Sequence, residues 1–281
     1  MNHLQRYFSS CLLAAAALLG SAPAGAAEAP ALGGASGFAV LSAGFGGSGA
    51  VTCTNSTITG DVGSSGLPAS VTQTGCTIAG AIRAPVSTRV LTDFNAAYDQ
   101  YASIPCTGTL NAAYTGTALT LEPGVYCSEA AVTFTNTTLT LDAQGDANAV
   151  WIFKIGTLGT GALTGTNLSV VLTNGAQPCN VYWWVAQAVT MTTSPFQGNI
   201  LAGAAITMTG LAGGMTPFNG DALSKAAVTL TNVAVTGCPG SGGPGGSRAK
   251  CNQGVGNGPE GCDPGNSNQS RISPFGPNSN D

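Results

Sequence analysis

The most regular chemical feature of this sequence is a threonine at every second position of five short segments. Threonine alternates there with aliphatic or other apolar residues, and the segments contain no charged side chain. Side chains alternate across a β-strand, so the threonines of each segment must share one face and the apolar residues the other. Such a face offers hydroxyl and methyl groups that can order water. The segments are 50–55 (AVTCTN), 131–136 (AVTFTN), 188–193 (AVTMTT), 205–210 (AITMTG) and 227–232 (AVTLTN).

These segments predict a flat array if they stack as neighbouring strands. Equivalent threonines would lie about 4.7–4.9 Å apart across strands, and the two threonines of one strand about 6.5–7 Å apart. Thr193 and Thr216 are expected to extend the array from adjoining segments. A sixth segment, 70–75 (SVTQTG), fits less well because it places Gln73 inward. The predicted binding residues are Thr52, Thr54, Thr133, Thr135, Thr190, Thr192, Thr193, Thr207, Thr209, Thr216, Thr229 and Thr231.

The threonine pattern also has a plain structural interpretation, and the sequence offers little for catalysis. Threonine is favourable in exposed strands of any function. His3 is the only histidine and the carboxylates are scattered, so the usual hydrolytic triads are absent. Asp142 and Asp146 could serve a glycosidase or bind Ca²⁺, but Asp and Gly at this spacing are more typical of a turn. We therefore predict a protein that is not an enzyme and has no cofactor and no metal site.

Residues 1–26 predict export from the cytoplasm. An apolar run after Arg6 ends in small residues, and cleavage is expected after Ala26 or Ala27, as in a secretory signal peptide. The run is too short to span a membrane. The mature protein is therefore expected outside the cell or in a periplasm. Charged residues make up only 7% of the chain, with a net charge of -4, which argues against binding to nucleic acid or to an anionic membrane.

Eight cysteines remain once Cys11 leaves with the predicted signal peptide. In an exported protein an even set predicts disulfides. Nearest-neighbour pairing is the simplest arrangement, although the sequence leaves other connectivities open. A weak Ca²⁺ site within 252–263 is less favoured than a polar loop closed by a disulfide. The nearest-neighbour pairs are Cys53–Cys76, Cys106–Cys127, Cys179–Cys238 and Cys251–Cys262.

The spacing of the threonine segments predicts a solenoid. Thr207 follows Thr190 by 17 residues, and Thr229 follows Thr207 by 22, intervals that fit one coil of three short strands and three turns. We expect one such domain over 27–238, in which 27–36 is a loose lead-in. Residues 239–281 are expected to form a Gly/Pro/Asn-rich flexible tail with a small Cys-flanked loop at 251–262.

One helix is predicted, over 87–103. Its apolar residues Leu91, Phe94, Tyr98 and Tyr101 are spaced three or four apart, which gives a single apolar stripe. The segments 149–156 and 180–187 are apolar on both sides, as strands are when both faces are covered. The helix is therefore expected to cover one face of the solenoid and to leave the threonine face open.

Seven segments carry long motifs of one known family. They are LGGASGFAVLSAG near the start, STITGDVGSS, LTLEPGVYC, LTLDAQGDANAVWIFKIG, NGAQPCNVYWWVAQAVTM, SPFQGNILAGAAITM and FNGDALSKAAVTL. In these segments the sequence resembles the microbial ice-binding protein family. The resemblance implies a mainly β fold, a right-handed discontinuous β-solenoid of triangular cross-section with one long flanking helix. It also implies adsorption to ice, which inhibits ice growth and recrystallisation without cofactor or catalysis. An alternative is a non-catalytic extracellular adhesin or polysaccharide-binding protein. We expect a monomer whose partner is an ice crystal surface. The segment 210–219 (GLAGGMTPFN) is longer than the usual turn of this family, and it is expected to interrupt the flatness of the face.

Overall fold

A computed structural model describes residues 28–239 of the chain. The predicted signal peptide, residues 240–281 of the predicted tail and the predicted pair Cys251–Cys262 lie outside these residues. Within them the chain forms short parallel strands and one long helix, arranged as successive coils that share three faces. The predicted mainly β solenoid with one flanking helix is confirmed.

The chain builds two coils, crosses the molecule in a helix and then builds six more coils. The first two coils and a short extra strand are β1 Val40–Ser42, β2 Val51–Thr54, β3 Thr57–Thr59, β4 Val62–Ser64, β5 Val71–Thr74, β6 Thr77–Ile78 and β7 Ile82–Arg83. The helix α1 is Thr88–Ser103. The remaining strands are β8 Gly108–Thr109, β9 Ala113–Thr115, β10 Ala118–Leu121, β11 Gly124–Ser128, β12 Val132–Thr135, β13 Thr138–Asp142, β14 Trp151–Ile155, β15 Leu163–Thr166, β16 Ser169–Thr173, β17 Val181–Val185, β18 Val189–Thr192, β19 Phe196–Gln197, β20 Asn199–Ala202, β21 Ile206–Thr209, β22 Thr216–Asn219, β23 Ala222–Ser224, β24 Val228–Thr231 and β25 Val233–Thr236.

The three faces differ in continuity. One is a nine-stranded sheet in the order β7-β4-β1-β23-β20-β17-β14-β11-β8, and the second is an eight-stranded sheet in the order β5-β2-β24-β21-β18-β15-β12-β9. The third face is split into a five-stranded sheet (β19-β22-β25-β3-β6) and a three-stranded sheet (β10-β13-β16).

The solenoid is discontinuous because its first coil pairs with its last. β1 pairs with β23, β2 with β24 and β3 with β25, all in parallel. Val51 thereby lies opposite Val228, a residue far along the chain. The helix carries the chain from the end formed by the second coil to the opposite end, from which the later coils return toward the first. The two chain-distant halves form one continuous stack.

The helix covers the nine-stranded sheet, as its apolar stripe predicts. It follows Ser87 and ends before Ile104, and it buries Phe94, Ala97, Tyr98 and Tyr101. The hydroxyl of Tyr98 donates to the carbonyl of Val185 at 3.0 Å. Burial, with a smaller contribution from Asp99, raises the pKa of Tyr98 to about 12, so the phenol remains a donor at neutral pH. The helix is thus fixed to the sheet by apolar contact and by a buried hydrogen bond.

The expectation of a loose lead-in is wrong for the part of it that the structure describes. Gly34 donates its backbone N–H to Asp93 of the helix at 2.8 Å, and the hydroxyl of Tyr101 donates to the carbonyl of Pro30 at 3.0 Å. Ala35 is fully buried. Small residues at 31–37 permit this close packing against the helix, a role that composition alone does not distinguish from flexibility.

The interior of the solenoid contains a row of aromatic rings in contact. Phe153 and Trp183 lie on neighbouring strands with ring centroids 3.9 Å apart. Phe196 continues the row 4.9 Å from Trp183, and Phe218 lies a further 6.1 Å away. Offset aromatic pairs contribute roughly 0.5–1.5 kcal/mol beyond their apolar burial. The row fills the core both within one coil and between neighbouring coils, whose spacing is set by the hydrogen-bonded parallel strands.

Three of the four predicted disulfides are present: Cys53–Cys76, Cys106–Cys127 and Cys179–Cys238. The first joins the two N-terminal coils, and the second joins the segment after α1 to β11. The third joins the turn before β17 to the end of the last coil. Each bond therefore fastens a place where the regular stacking begins, ends or changes direction.

Two ionisable groups are buried near the helix and the last coil. Lys154 donates from Nζ to the carbonyl of Ile104, at the C-terminal end of α1, at 2.6 Å, and desolvation lowers its pKa. Asp221 accepts the backbone N–H of Cys238 at 2.9 Å, while its own N–H donates to Asn199. Burial raises the pKa of Asp221 to about 7, although the hydrogen bond from Cys238 opposes this shift.

The raised pKa of Asp221 predicts a pH-dependent stability. The folded state holds a proton on this carboxyl that the unfolded chain releases between about pH 4 and pH 7, so the free energy of unfolding falls as pH rises through that window. Asp221→Asn keeps an acceptor for Cys238 and removes the titration. We expect the variant to gain roughly 2–4 kcal/mol of stability relative to wild type between pH 4 and pH 8.

Urea denaturation at a series of pH values measures this difference. Asp146→Asn, which removes a carboxylate from an exposed turn, is the matched control. A constant difference between Asp221→Asn and wild type at every pH would contradict the prediction.

Candidate functional site

The eight-stranded sheet contains two complete columns of small side chains in register. One position of each strand forms the first column, and the position two residues later forms the second. In sheet order the first column is Thr72, Thr52, Thr229, Thr207, Thr190, Thr164, Thr133 and Ala113. The second column is Thr74, Thr54, Thr231, Thr209, Thr192, Thr166, Thr135 and Thr115.

The threonines of both columns face solvent because the alternate residues face the core. Met191 and Met208, which lie between threonines, are nearly fully buried. The hydroxyl of Thr72 donates to that of Thr52 at 3.4 Å. Within residues 28–239, the other threonines of the two columns make no side-chain hydrogen bond to protein, so their hydroxyls are available to water. Threonine is stiff at χ1 in a strand, and the array is therefore regular and ordered before anything binds.

Ten of the twelve predicted binding residues lie in these columns, and two lie elsewhere. Thr193 follows the second column at the corner of the coil, with φ 49°. Thr216 begins β22 on the third face and is buried, with its hydroxyl accepting the backbone N–H of Leu211 at 3.2 Å. Thr216 is therefore not part of this surface, because its side chain closes the loop 210–215 instead.

Five array threonines are absent from the predicted binding residues, although two of them, Thr72 and Thr74, belong to the sixth segment 70–75 that fits the pattern less well. Thr164 and Thr166 flank Gly165, where the pattern requires a bulky apolar residue. A side chain at Gly165 would lie 2.5 Å from Sδ of Met191, so Met191 of the next coil fills that space. The other three are Thr72, Thr74 and Thr115 on the two terminal strands. A search for Thr-x-Thr alone, without a requirement on the middle residue, finds all five, but it pairs Thr115 with Thr117, which lies outside the array, because the first-column position of that strand is Ala113.

Gln73 occupies the inward position opposite Cys53, as predicted, yet it is exposed. β5 is the terminal strand of its sheet, so no coil lies beyond it to enclose the amide. A polar residue at this end of the core is compatible with the stack.

The two other faces are less suited to a flat contact. The nine-stranded sheet lies beneath α1. The third face is divided between two sheets and includes Asp142, whose pKa is held below its usual range by the N–H of Gln144 and the amide of Asn174. Asp142 and Asp146 each accept a backbone N–H two residues later, as the predicted turn requires. Within residues 28–239, no three His, Cys, Asp or Glu residues are grouped to hold a metal ion.

A row of buried hydroxyls supports the second threonine column from below. Ser56, Thr137 and Ser194 each donate to the carbonyl of the residue two positions earlier, which is a threonine of that column. Ser194 also accepts the N–H of Leu168 from the neighbouring coil at 3.1 Å, and Ser56 accepts that of Val233 at 3.0 Å. These side chains fix both the turn and the spacing of coils beside the array. The sequence pattern did not reveal them.

The loop 210–215 lies along one edge of the threonine face. Leu211 and Met215 are exposed, and Met215 contacts the hydroxyl of Thr57 on the third face. Gly213, Gly214 and Met215 border a groove of about 310 Å³ with Asn55 and Asn232, the corner residues of neighbouring coils. The loop therefore interrupts the corner and not the two threonine columns.

Residues 44–236 match the model of the family described as ice-binding-like. The chain belongs to the ice-binding-like family. Over 125 residues it is 39% identical to an ice-binding protein of Nostoc sp. (strain HG1), a match that spans 44% of each chain. Over 92 residues it is 45% identical to ice-binding protein 1 of Shewanella frigidimarina, a match that spans 32% of this chain and 10% of that protein. The chain thus spans less than half the length of these curated relatives.

Solved structures agree with this ice-binding-like assignment. The ice-binding protein from the Antarctic ascomycete Antarctomyces psychrotrophicus superimposes with a TM-score of 0.63 at 32% identity, over 74% of this chain and 98% of that one. In the described part of this family member, no helix is long and apolar enough to cross a membrane.

The buried hydroxyl row gives a stability prediction for this ice-binding-like chain. Ser194→Ala leaves the N–H of Leu168 buried without its partner, which should lower the free energy of unfolding by about 1–3 kcal/mol. Thr192→Val alters an exposed side chain of similar shape and should change it by less than about 0.5 kcal/mol. Equilibrium urea denaturation compares the two, and equal stability of the variants would show that Ser194 does not fix the coil.

Proposed function

We propose that this protein adsorbs to ice through the eight-stranded face. The observation that carries the proposal is the pair of in-register columns, which extends over all eight strands with threonine at every position except Ala113. The ice-binding proteins that the chain resembles support the choice of ice as the ligand.

The chemistry of this face suits a solid water surface. Its repeat distances, about 4.7–4.9 Å across strands and about 6.5–7 Å along them, are similar to those of ice. Hydroxyl groups can bond to water while the adjacent methyl groups limit other hydration. The two columns contain no charged residue, so no strongly hydrated ion disturbs an ordered water layer. Disulfides and the aromatic row keep the surface rigid, which reduces the entropy lost on adsorption.

Adsorption would stop ice growth by pinning the ice front. Between bound molecules the front must curve as it advances, and a curved front has a lower local freezing point. Growth and recrystallisation would therefore be inhibited without any covalent step. We infer that the protein is not an enzyme and that it acts as a monomer.

The alternative of polysaccharide binding has less support on this face. Sugar-binding surfaces use exposed aromatic rings, and the two columns hold none. Among the large apolar residues described as exposed, the aromatic one is Phe45, in the turn before β2. A flat uncharged array favours ice over a polysaccharide chain.

Bulky substitutions in the array test the proposed face. Thr192→Tyr and Thr209→Tyr replace neighbouring residues of the second column, where a ring would hold the surrounding threonines away from ice. We expect each to lower thermal hysteresis at equal protein concentration by at least about fivefold, because the contact depends on surface complementarity.

Thr59→Tyr is the matched control, since Thr59 is an exposed strand residue of the third face. It should retain wild-type activity. Absence of wild-type protein from growing ice would overturn the proposed function, whereas full activity of both array variants would move the contact to another face.

We also infer that the protein is exported. The three disulfides support this, because such bonds persist in oxidising compartments. Protein recovered from outside the cytoplasm should begin at Ala27 or Glu28 and should carry eight oxidised cysteines. Intact-mass measurement before and after reduction checks both statements, and retention of residues 1–26 would contradict the first.

A further inference from the structure

The residue after each threonine pair forms a further row along the corner of the solenoid. Asn136, Asn167 and Thr193 follow β12, β15 and β18, three neighbouring strands of the sheet. Their φ values are 48°, 51° and 49°, in the left-handed region that few non-glycine residues adopt. This conformation ends the alternation of the strand and turns side chains outward that would otherwise enter the core. Asn136 and Asn167 are exposed as a result.

The three side chains are joined in a chain of hydrogen bonds. The hydroxyl of Thr193 donates to Oδ1 of Asn167, and Nδ2 of Asn167 donates to Oδ1 of Asn136 at 2.9 Å. Each link joins adjacent coils, so the side chains repeat at the strand spacing of about 4.8 Å. The bonds also fix which way each amide points, and the remaining donors and lone pairs face solvent.

We propose that Thr193, Asn167 and Asn136 form a third ice-contacting column, which widens the array beside β12, β15 and β18. The proposal rests on the proposed function of the threonine face. The corner row shares the spacing and order of the two threonine columns, and it adds amide donors and acceptors to their hydroxyl groups. Its internal hydrogen bonds hold the amides in place before contact, so they need no ordering on adsorption.

The third column is limited to one half of the face. On the next strand the corner residue is Gly210, and the loop 210–215 begins there. Asn232 and Asn55 occupy the same corner positions farther along, with φ 55° and 47°, but the loop lies beside them. These two asparagines therefore share the backbone geometry of the third column without its open surroundings.

Asparagine-to-glycine substitutions separate the side chains from the backbone. Gly75 and Gly116 occupy the same corner position on the terminal strands, both with φ 61°, so glycine is compatible with this turn. The double variant Asn136→Gly/Asn167→Gly removes two members of the column. We expect about two- to tenfold weaker retention in ice and a matching fall in thermal hysteresis, with the fold intact.

Asn55→Gly/Asn232→Gly is the matched control and should bind ice as wild type does. Unfolding midpoints of both double variants, measured near the assay temperature, verify that each is folded. Asn167→Asp supplies a second test, because a carboxylate cannot donate to Asn136 and introduces a charge at the edge of the array. It should also weaken retention.

The outcomes separate this inference from the proposed function. If wild type is excluded from ice, the proposed function fails. If wild type enters ice and Thr192→Tyr does not, while Asn136→Gly/Asn167→Gly behaves as wild type, only the third column is overturned. Equal losses in the two asparagine double variants would also overturn it, because the effect would then come from the turn and not from an open column.

Discussion

The whole structure depends on the parallel pairing of the first coil with the last. Three strands of one coil meet three strands of the other in register, and Thr52 is thereby brought opposite Thr229. A slip of one residue at this junction would reverse the side chains of an entire strand relative to its neighbours. Both threonine columns would then be broken after their second row, and apolar residues would be exposed in their place.

The rigidity of the face comes from the layers behind it. Inward residues such as Phe134 and Met191 fill the core, and the aromatic row from Phe153 to Phe218 packs beside them. On the far side, α1 covers a sheet that would otherwise expose an apolar surface to water. A flat solvent-facing array is therefore the outer surface of a densely packed interior, and the array itself contributes little to stability.

Sequence periodicity predicted most of this arrangement, and its failures have physical causes. The alternation around Thr190 and Thr192 predicts a strand and its exposed face, and the spacing of Phe94, Tyr98 and Tyr101 predicts the helix. The prediction for Thr216 is wrong because the segment beside the array turns onto the third face, where the buried hydroxyl of Thr216 accepts the N–H of Leu211. Thr164 and Thr166 were missed because Gly165, between them, replaces the bulky apolar residue of the pattern. Met191 from another coil fills the space of that residue. A pattern of neighbouring residues in the sequence cannot predict such tertiary contacts.

The position of the first coil within the stack has a consequence for biosynthesis. Residues 40–59 emerge early, but the coil that must cover one side of them, 222–236, is among the last described segments to be made. Until then an apolar strand edge stays unpaired and is free to associate with other chains. Contacts of such long sequence separation form slowly. A nascent chain would need protection until its last coil is made. A prematurely ended chain would carry two isolated rows of threonine with no neighbouring rows to continue them.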